Sequence, residues 1–168
     1  KVFHASSVDL VKSLSLKKIV SSRRKEINEL YPSIEVVESI DDVVGSDIDL
    51  VIIATPNHMH YEQCKKALIA GKHVVVDKPF TVNLDEALDL KNLAEKNSLI
   101  LSVFHNRRFD GDFLTIKELL KSGKLGNISS FESNFNRFRP KVNLEKWRET
   151  TESAGGIFYD LAPHLIDQ

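Results

Sequence analysis

The sequence predicts an α/β fold: a doubly wound parallel sheet, followed by the start of an α+β domain with an open sheet. Strand-like and helix-like patterns alternate in the order β-α-β-α-β-α-β-α-β from residue 14 to residue 104, with connections short enough for right-handed crossovers. Residues 73–76 read His-Val-Val-Val, and such a run of consecutive valines is typical of a strand buried on both faces. After residue 105 this alternation stops, which predicts a second domain.

The predicted strands of the first domain are apolar runs closed by turn signals or by proline, which cannot donate to a strand ladder. The strand at 73–76 runs directly into Asp77, Lys78 and Pro79. Lys78 is therefore predicted at the carboxyl edge of the sheet, where ligands of such folds bind. The strands are residues 14–20, 36–37, 49–56, 73–76 and 99–104.

Helices are predicted between these strands from apolar spacing and end signals. A weak helical pattern lies in residues 1–13, and a helix of about two turns should close at Pro32. Ser39 to Asp42 has a capping-box-like spacing. The helix over about 58–70 should end at Gly71, and Asn83 should cap the helix that follows, with Glu86 three residues on.

The domain boundaries follow from the change of pattern, giving an N-terminally incomplete dinucleotide-binding domain at 1–105 and an incomplete second domain at 106–168. Residues 113–120 predict a helix ended by Gly123. Residues 128–138 alternate apolar and polar side chains, which predicts a half-buried strand of a more antiparallel sheet. The chain ends within a further predicted helix.

Composition excludes several classes of protein. Of the 168 residues, 23 are basic and 24 acidic, for a net charge of −1, so neither nucleic acid nor a membrane surface is expected as a partner. No apolar run approaches the roughly 18 residues that span a bilayer. Cys64 is the single cysteine. Without an internal disulfide, a cytoplasmic location is expected.

Polar residues follow four of the strands, and parallel strands bring their carboxyl ends to one edge. A dinucleotide bound at that edge would meet several such loops at once. The four loops are Ser21-Ser22-Arg23, Thr55-Pro56-Asn57-His58-Met59-His60, Asp77-Lys78-Pro79 and His105-Asn106-Arg107-Arg108.

Four motifs together resemble the Gfo/Idh/MocA oxidoreductase family, and most of all its branch of NADP-dependent scyllo-inositol dehydrogenases and their relatives. The resemblance covers essentially the whole chain. The motifs lie at residues 54–60, 70–79, 106–110 and 155–164, the last reading Gly-Gly-Ile-Phe-Tyr-Asp-Leu-Ala-Pro-His.

The resemblance implies a nicotinamide-binding Rossmann domain and a C-terminal domain that forms the substrate pocket and an oligomer interface. The family's catalytic lysine falls on Lys78, and its substrate-side acid and histidine fall on Asp160 and His164. The bond between Lys78 and Pro79 is expected to be cis. Trp147 and Arg148 match an element near the nicotinamide. The implied substrate is a small polyol or sugar, and the implied assembly is a homodimer or homotetramer.

The proposed chemistry removes a hydroxyl proton as hydride leaves for the nicotinamide. Lysine, with a usual pKa of about 10.4, is a poor base at neutral pH unless burial or nearby positive charge lowers that value. His164 could accept or relay the same proton, and Asp160 could orient a hydroxyl or the imidazole. The sequence leaves open which of Lys78 and His164 holds the proton.

The residues at the end of the second strand of a Rossmann fold indicate which coenzyme is preferred, because an acid there binds the ribose 2′-hydroxyl of NAD. Here the residues are Ser21, Ser22 and Arg23, with no acid and a cation able to meet a 2′-phosphate. NADP is therefore expected, with NAD as the alternative.

The chain departs from the family pattern in three places. Asp77 and Ala162 stand where glutamate and glycine are usual, and no G-x-G-x-x-G phosphate loop is present. We expect an interior segment of a protein roughly twice as long, inactive on its own because that loop holds the pyrophosphate.

Each candidate site residue also has a purely structural interpretation. A lysine beside a strand end is usually solvated, and Arg23 with its basic neighbours could be a solvated helix start. His58 and His60 lack the further ligands of a metal site, so no metal is expected and both should cap or line the cofactor loop. Two other functions remain open: an NAD-dependent glycoside hydrolase of the same family, and a non-catalytic dinucleotide- or sugar-binding module.

Overall fold

The computed structural model describes residues 3–136, 138, 140–141 and 154–168. The strands and helices alternate along residues 18–104 as the sequence predicts. The strands are β1 (Lys18–Val20), β2 (Glu35–Val37), β3 (Leu50–Ile53), β4 (His73–Asp77) and β5 (Leu101–Phe104). The helices are α1 (Phe3–Leu10), α2 (Arg24–Leu30), α3 (Asp41–Val44), α4 (His60–Ile69), α5 (Leu84–Lys96), α6 (Gly111–Lys121) and α7 (Gly156–Asp167), with 3₁₀ turns at Asn57–Met59 and Asn106–Phe109.

All strand pairs are parallel, which confirms the predicted sheet type. β1 pairs with β2, and β4 lies between β3 and β5, with Val74 opposite Val51 on one side and Leu101 on the other. These two sheets share no ladder among the described residues. In the strand order usual for dinucleotide-binding folds a further strand lies between the positions of β1 and β3, and no described residue fills it.

The core lies between β4 and the helices α4 and α5. Val74 and Val76 of β4 have no exposed surface, whereas His73, Val75 and Asp77 on the opposite face are partly exposed, so the predicted burial of both faces is met in full on one face only. Leu68 and Leu90 are both fully buried. Burial of each of these side chains contributes about 1.5–3 kcal/mol to the free energy of folding. Burial raises the pKa of the Cys64 thiol to about 12. No helix in the described part of the chain is long and apolar enough to cross a membrane.

The Asn83 cap and the Gly71 stop are confirmed, whereas α3 begins after Ile40, which makes no side-chain capping bond. The Asn83 side chain accepts a hydrogen bond from the Glu86 backbone N–H at 3.0 Å. The Asp42 carboxylate accepts from both the backbone N–H and the hydroxyl of Ser39, which lowers the pKa of Asp42. Gly71, just after α4, has a φ of +74°, a conformation that glycine adopts without steric cost.

The predicted strand over residues 128–138 is wrong for the residues that the structure describes. Residues 128–136 form no strand, and Ile128 and Phe131 are 51% and 58% exposed. A strand requires a neighbour to pair its backbone groups and cover its apolar side, and no described segment offers one. Alternation of side chains alone therefore did not make a strand.

Candidate active site

The carboxyl ends of β3, β4 and β5 lie side by side because the three strands are parallel and in register. β4 is central, so the residues after it are flanked by the loops that follow its two neighbours. Asn57, Lys78 and Asn106 follow β3, β4 and β5 respectively. The structure therefore brings together three of the four predicted loops at one edge.

Lys78 reaches from this edge to the start of α7. Its Nζ donates to the backbone oxygen of Asp160 at 2.6 Å and to the carboxylate Oδ1 at 2.9 Å. The two side chains are 20% and 28% exposed, so both are partly shielded yet open to a ligand. The expected cis bond joins Lys78 to Pro79. This pairing places two predicted catalytic residues in direct contact.

A second link joins the same elements, since the Asn57 side-chain amide donates to the backbone oxygen of Ala154 at 2.9 Å. Between the two links is a small cleft of about 20 Å³, partly open to solvent. Gly156, with a φ of +90°, lets the chain turn into α7 beside it. The described lining residues are Asn57, Lys78, Pro79, Ala154, Gly155, Gly156, Tyr159 and Asp160.

His164 lies one helical turn after Asp160 and is only 6% exposed. Burial, together with the positive charge of Lys78, lowers the pKa of His164 to about 4, so the ring is neutral near pH 7. Its Nδ1 is buried and has no hydrogen-bond partner among the described residues. A buried nitrogen in this state marks a place where a ligand or water is expected.

His105 belongs to the predicted polar loop after β5, but no individual role was predicted for it. It directly follows β5, and its buried Nδ1 also lacks a partner within the described ranges. Burial lowers its pKa. Its neighbour Arg108 forms a bidentate ion pair with Asp167 of α7, including a bond from Nε to Oδ2 at 2.9 Å. The signal available in the sequence was its position at a strand end.

His60, expected to cap or line the cofactor loop, has no exposed surface. Its Nδ1 lies 2.8 Å from the backbone oxygen of Pro79, and its Nε2 lies 3.0 Å from that of Thr55. The Thr55 hydroxyl donates to the side-chain oxygen of Gln63 at 2.7 Å. Any contribution of His60 to cofactor binding would therefore be indirect, through the loops it joins.

Asp77, a predicted cofactor residue, contacts the first described helix. His4 Nε2 lies 3.0 Å from Asp77 Oδ1, and the His4 ring packs against Phe104 with 4.5 Å between centroids. Because 73 positions separate the two residues, no local pattern could have revealed this pair.

The residues predicted to select the coenzyme, 21–23, directly follow β1, which is a strand of the two-stranded sheet. The Ser21 hydroxyl oxygen accepts from the Arg23 backbone N–H at 3.1 Å. The Arg23 guanidinium is 54% exposed and lies 3.6 Å from the Glu26 carboxylate. An exposed pair of this kind is weak, so Arg23 is available to a phosphate. Ser22 is exposed beside it. Trp147 and Arg148 lie outside the described residues.

The donor set at this edge fits a nicotinamide coenzyme. Amide, hydroxyl and ammonium groups converge beside a crevice at the carboxyl ends of parallel strands. The Nδ1 atoms of His105 and His164 are buried and have no hydrogen-bond partner in the part of the chain that the structure describes. A metal ion is not suggested: no group of three or more His, Cys, Asp or Glu side chains in the described part of the chain could hold one.

Known proteins resemble this chain in both sequence and structure. Residues 1–105 match the Gfo/Idh/MocA model described as "Oxidoreductase family, NAD-binding Rossmann fold". Residues 117–168 match the model of that family's C-terminal alpha/beta domain.

Among curated relatives, the uncharacterized oxidoreductase YdgJ of Escherichia coli is 48% identical over 100% of this chain and 49% of its own length. The scyllo-inositol 2-dehydrogenase (NADP(+)) IolW of Bacillus subtilis is 42% identical over 99% of this chain and 47% of its own. The chain thus spans about half the length of the curated relatives it matches.

Among solved structures, an oxidoreductase from Bacillus cereus superposes with a TM-score of 0.85 at 32% identity, over 98% of this chain and 47% of that one. The apo scyllo-inositol dehydrogenase from Lactobacillus casei gives a TM-score of 0.68 at 29% identity, over 75% of this chain and 39% of that one.

Proposed function

This chain belongs to the Gfo/Idh/MocA oxidoreductase family, and on that premise we propose a hydride-transfer activity for the whole protein. The proposed reaction moves a hydride between NADP and a secondary alcohol or ketone of a polyol or sugar, inositol-like in structure. The observation that carries the proposal is the contact of Lys78 with Asp160 at the end of the central parallel strand.

The coenzyme would supply the hydride acceptor or donor, and side chains of the protein would accept or donate the proton that accompanies the hydride. Lys78 lines the cleft, and its Nζ donates to two oxygens of Asp160. As an ammonium it can hydrogen-bond a substrate oxygen and give it a proton when a ketone is reduced. In the oxidative direction the same nitrogen, once deprotonated, takes the hydroxyl proton.

His164 supports this chemistry as a neutral group. Because its pKa lies near 4, it does not repel the Lys78 ammonium at neutral pH. Its Nδ1, which has no partner among the described residues, can hydrogen-bond a bound hydroxyl. Asp160 holds the lysine in place. Lys78 is therefore our candidate for direct proton transfer, with Asp160 and His164 orienting the substrate and the lysine.

Preference for NADP is supported by Ser21, Ser22 and Arg23. The guanidinium of Arg23 is half exposed and can form charge-assisted hydrogen bonds to a 2′-phosphate. The name of the 42%-identical relative IolW includes both NADP(+) and scyllo-inositol, which also supports the substrate class proposed here.

The test is an assay of the full-length protein with NADP⁺ or NAD⁺ and a panel of inositols and sugars, monitoring reduced coenzyme. We expect NADPH to accumulate in proportion to the oxidised polyol. Release of a sugar substituent without net coenzyme reduction would instead support a glycoside hydrolase. Coenzyme binding with neither reaction across the panel would support a binding module.

A further inference from the structure

His60 joins the two loops that carry the candidate site. Its imidazole is fully buried at the start of α4. One ring nitrogen lies 2.8 Å from the carbonyl oxygen of Pro79 and the other lies 3.0 Å from that of Thr55. A single rigid ring thus spans from the end of β3 to the end of β4.

Each carbonyl belongs to a residue next to the proposed chemistry. Pro79 directly follows Lys78, and Thr55 lies two residues before Asn57, whose amide donates to Ala154 across the cleft. The loop after β3 and the loop after β4 both line that cleft. The distance between the two carbonyl groups therefore helps to determine the position of Lys78 relative to the loop that contains Asn57.

We propose that His60 is a positioning residue, whose imidazole sets the spacing between the Thr55 loop and Lys78. This inference deepens the proposed hydride transfer and rests on it for its kinetic consequence. His60 touches neither substrate nor coenzyme in this arrangement, because no part of its surface is exposed. It acts through the backbone of the two loops.

The bonding capacity of the ring explains why histidine suits this position. Carbonyl oxygens only accept hydrogen bonds, so the ring bonds both Pro79 and Thr55 when both of its nitrogens carry a proton, and with one N–H it bonds one carbonyl while still packing against the other. Leucine fills a similar volume with no donor. Glutamine carries both of its N–H donors on one nitrogen and an acceptor on its other terminal atom, so it cannot place a separate donor nitrogen at each of the two carbonyls.

The experiment compares His60→Leu, His60→Gln and a control, Cys64→Ala, in the full-length protein. Cys64 is also fully buried and lies one turn further along α4, in the hydrophobic core. The readouts are kcat, KM for coenzyme and polyol, melting temperature, and the rate at which an amine-reactive reagent acylates Lys78, followed by mass spectrometry.

We expect His60→Leu to lower kcat on the order of 100-fold at temperatures where it is folded, the scale of a misplaced catalytic group. KM should change much less, and His60→Gln should recover part of the loss. Lys78 should be acylated severalfold faster in His60→Leu, because its Nζ is less firmly held by Asp160. Cys64→Ala should change only the melting temperature.

Folded His60→Leu with kcat and Lys78 acylation within about twofold of the unmodified protein would overturn the inference. If His60→Leu does not fold, the same criterion applies to His60→Gln. If the unmodified protein turns over no polyol, the proposed function fails, and the acylation rates alone then decide the role of His60.

Discussion

The ammonium of Lys78 lies 2.6 Å from the backbone oxygen of Asp160 and 2.9 Å from its carboxylate, although 82 positions separate the two residues. This contact connects the end of the central strand to α7. The hydrogen bond from the Asn57 side chain to the Ala154 backbone oxygen is a second connection, on the other side of the cleft. The geometry of the candidate site therefore depends on these two pairs of residues.

Coenzyme preference should depend on Arg23. Replacing Arg23 with Ala removes the half-exposed guanidinium proposed to meet the 2′-phosphate. Charge-assisted hydrogen bonds contribute about 1.5–3 kcal/mol, so the Kd for NADP should rise roughly 10- to 100-fold while the Kd for NAD changes little. Calorimetric titration of the full-length protein measures both constants.

Lys25→Ala is the matched control, since it removes an exposed charge two residues further along the chain. Its effect on NADP binding should be small. Equal losses of affinity in the two variants would show that general charge, not Arg23, attracts the coenzyme. Tighter binding of NAD than of NADP by the unmodified protein would refute the preference altogether.

Stability should fall on mild acidification because of His164. Its folded pKa is about 4, below the usual value of 6.5, so the unfolded chain binds more protons between these limits. The free energy of unfolding is therefore complete above about pH 6.5 and decreases as the pH falls toward 4, by on the order of 2–3 kcal/mol from this residue.

Urea unfolding at pH 7 and at pH 5 measures this dependence. His105, whose pKa is also lowered by burial, contributes in the same direction, so the test compares the unmodified protein with His164→Gln. The variant should lose less free energy between the two pH values. The same pH dependence in both proteins would mean that His164 is not buried in its neutral form.

The bidentate ion pair between Arg108 and Asp167 should be visible as a shifted carboxyl titration. Arg108 holds the pKa of Asp167 below its usual range. Arg108→Ala should raise that pKa toward about 3.9, as followed by NMR of the carboxyl carbon. Arg107→Ala is the control, because Arg107 pairs with Asp110. A pKa of Asp167 that is unchanged in Arg108→Ala would argue against the pair.

Local patterns in the sequence were enough to predict the five strands of residues 18–104, the helix ends at Asn83 and Gly71, and the place of Lys78. The valines 74–76 indicated a strand, which the structure buries fully on one face, and Asn83 and Gly71 supplied specific end signals. The same logic failed over residues 128–136, because a strand also needs a partner that no local pattern reveals.

Contacts between distant residues were beyond such patterns. The pairing of His4 with Asp77 spans 73 positions. His60 was expected to cap or line the cofactor loop, but its ring is fully buried. The unpaired nitrogen of His105 depends on how the turn after β5 packs near α7. These features arise from tertiary packing, which spacing along the chain does not encode.

The most direct measurement is kcat for NADP⁺-dependent polyol oxidation by full-length Lys78→Met, with Lys72→Met as the control. Both lysines flank β4, but Lys72 lies at its opposite end, where its Nζ donates to the backbone oxygen of Ser46 at 2.9 Å. We predict that Lys78→Met, with its coenzyme affinity retained, loses about 10²- to 10⁴-fold in kcat while Lys72→Met stays close to the unmodified protein. Undiminished turnover by Lys78→Met would contradict the assignment of proton transfer to this residue.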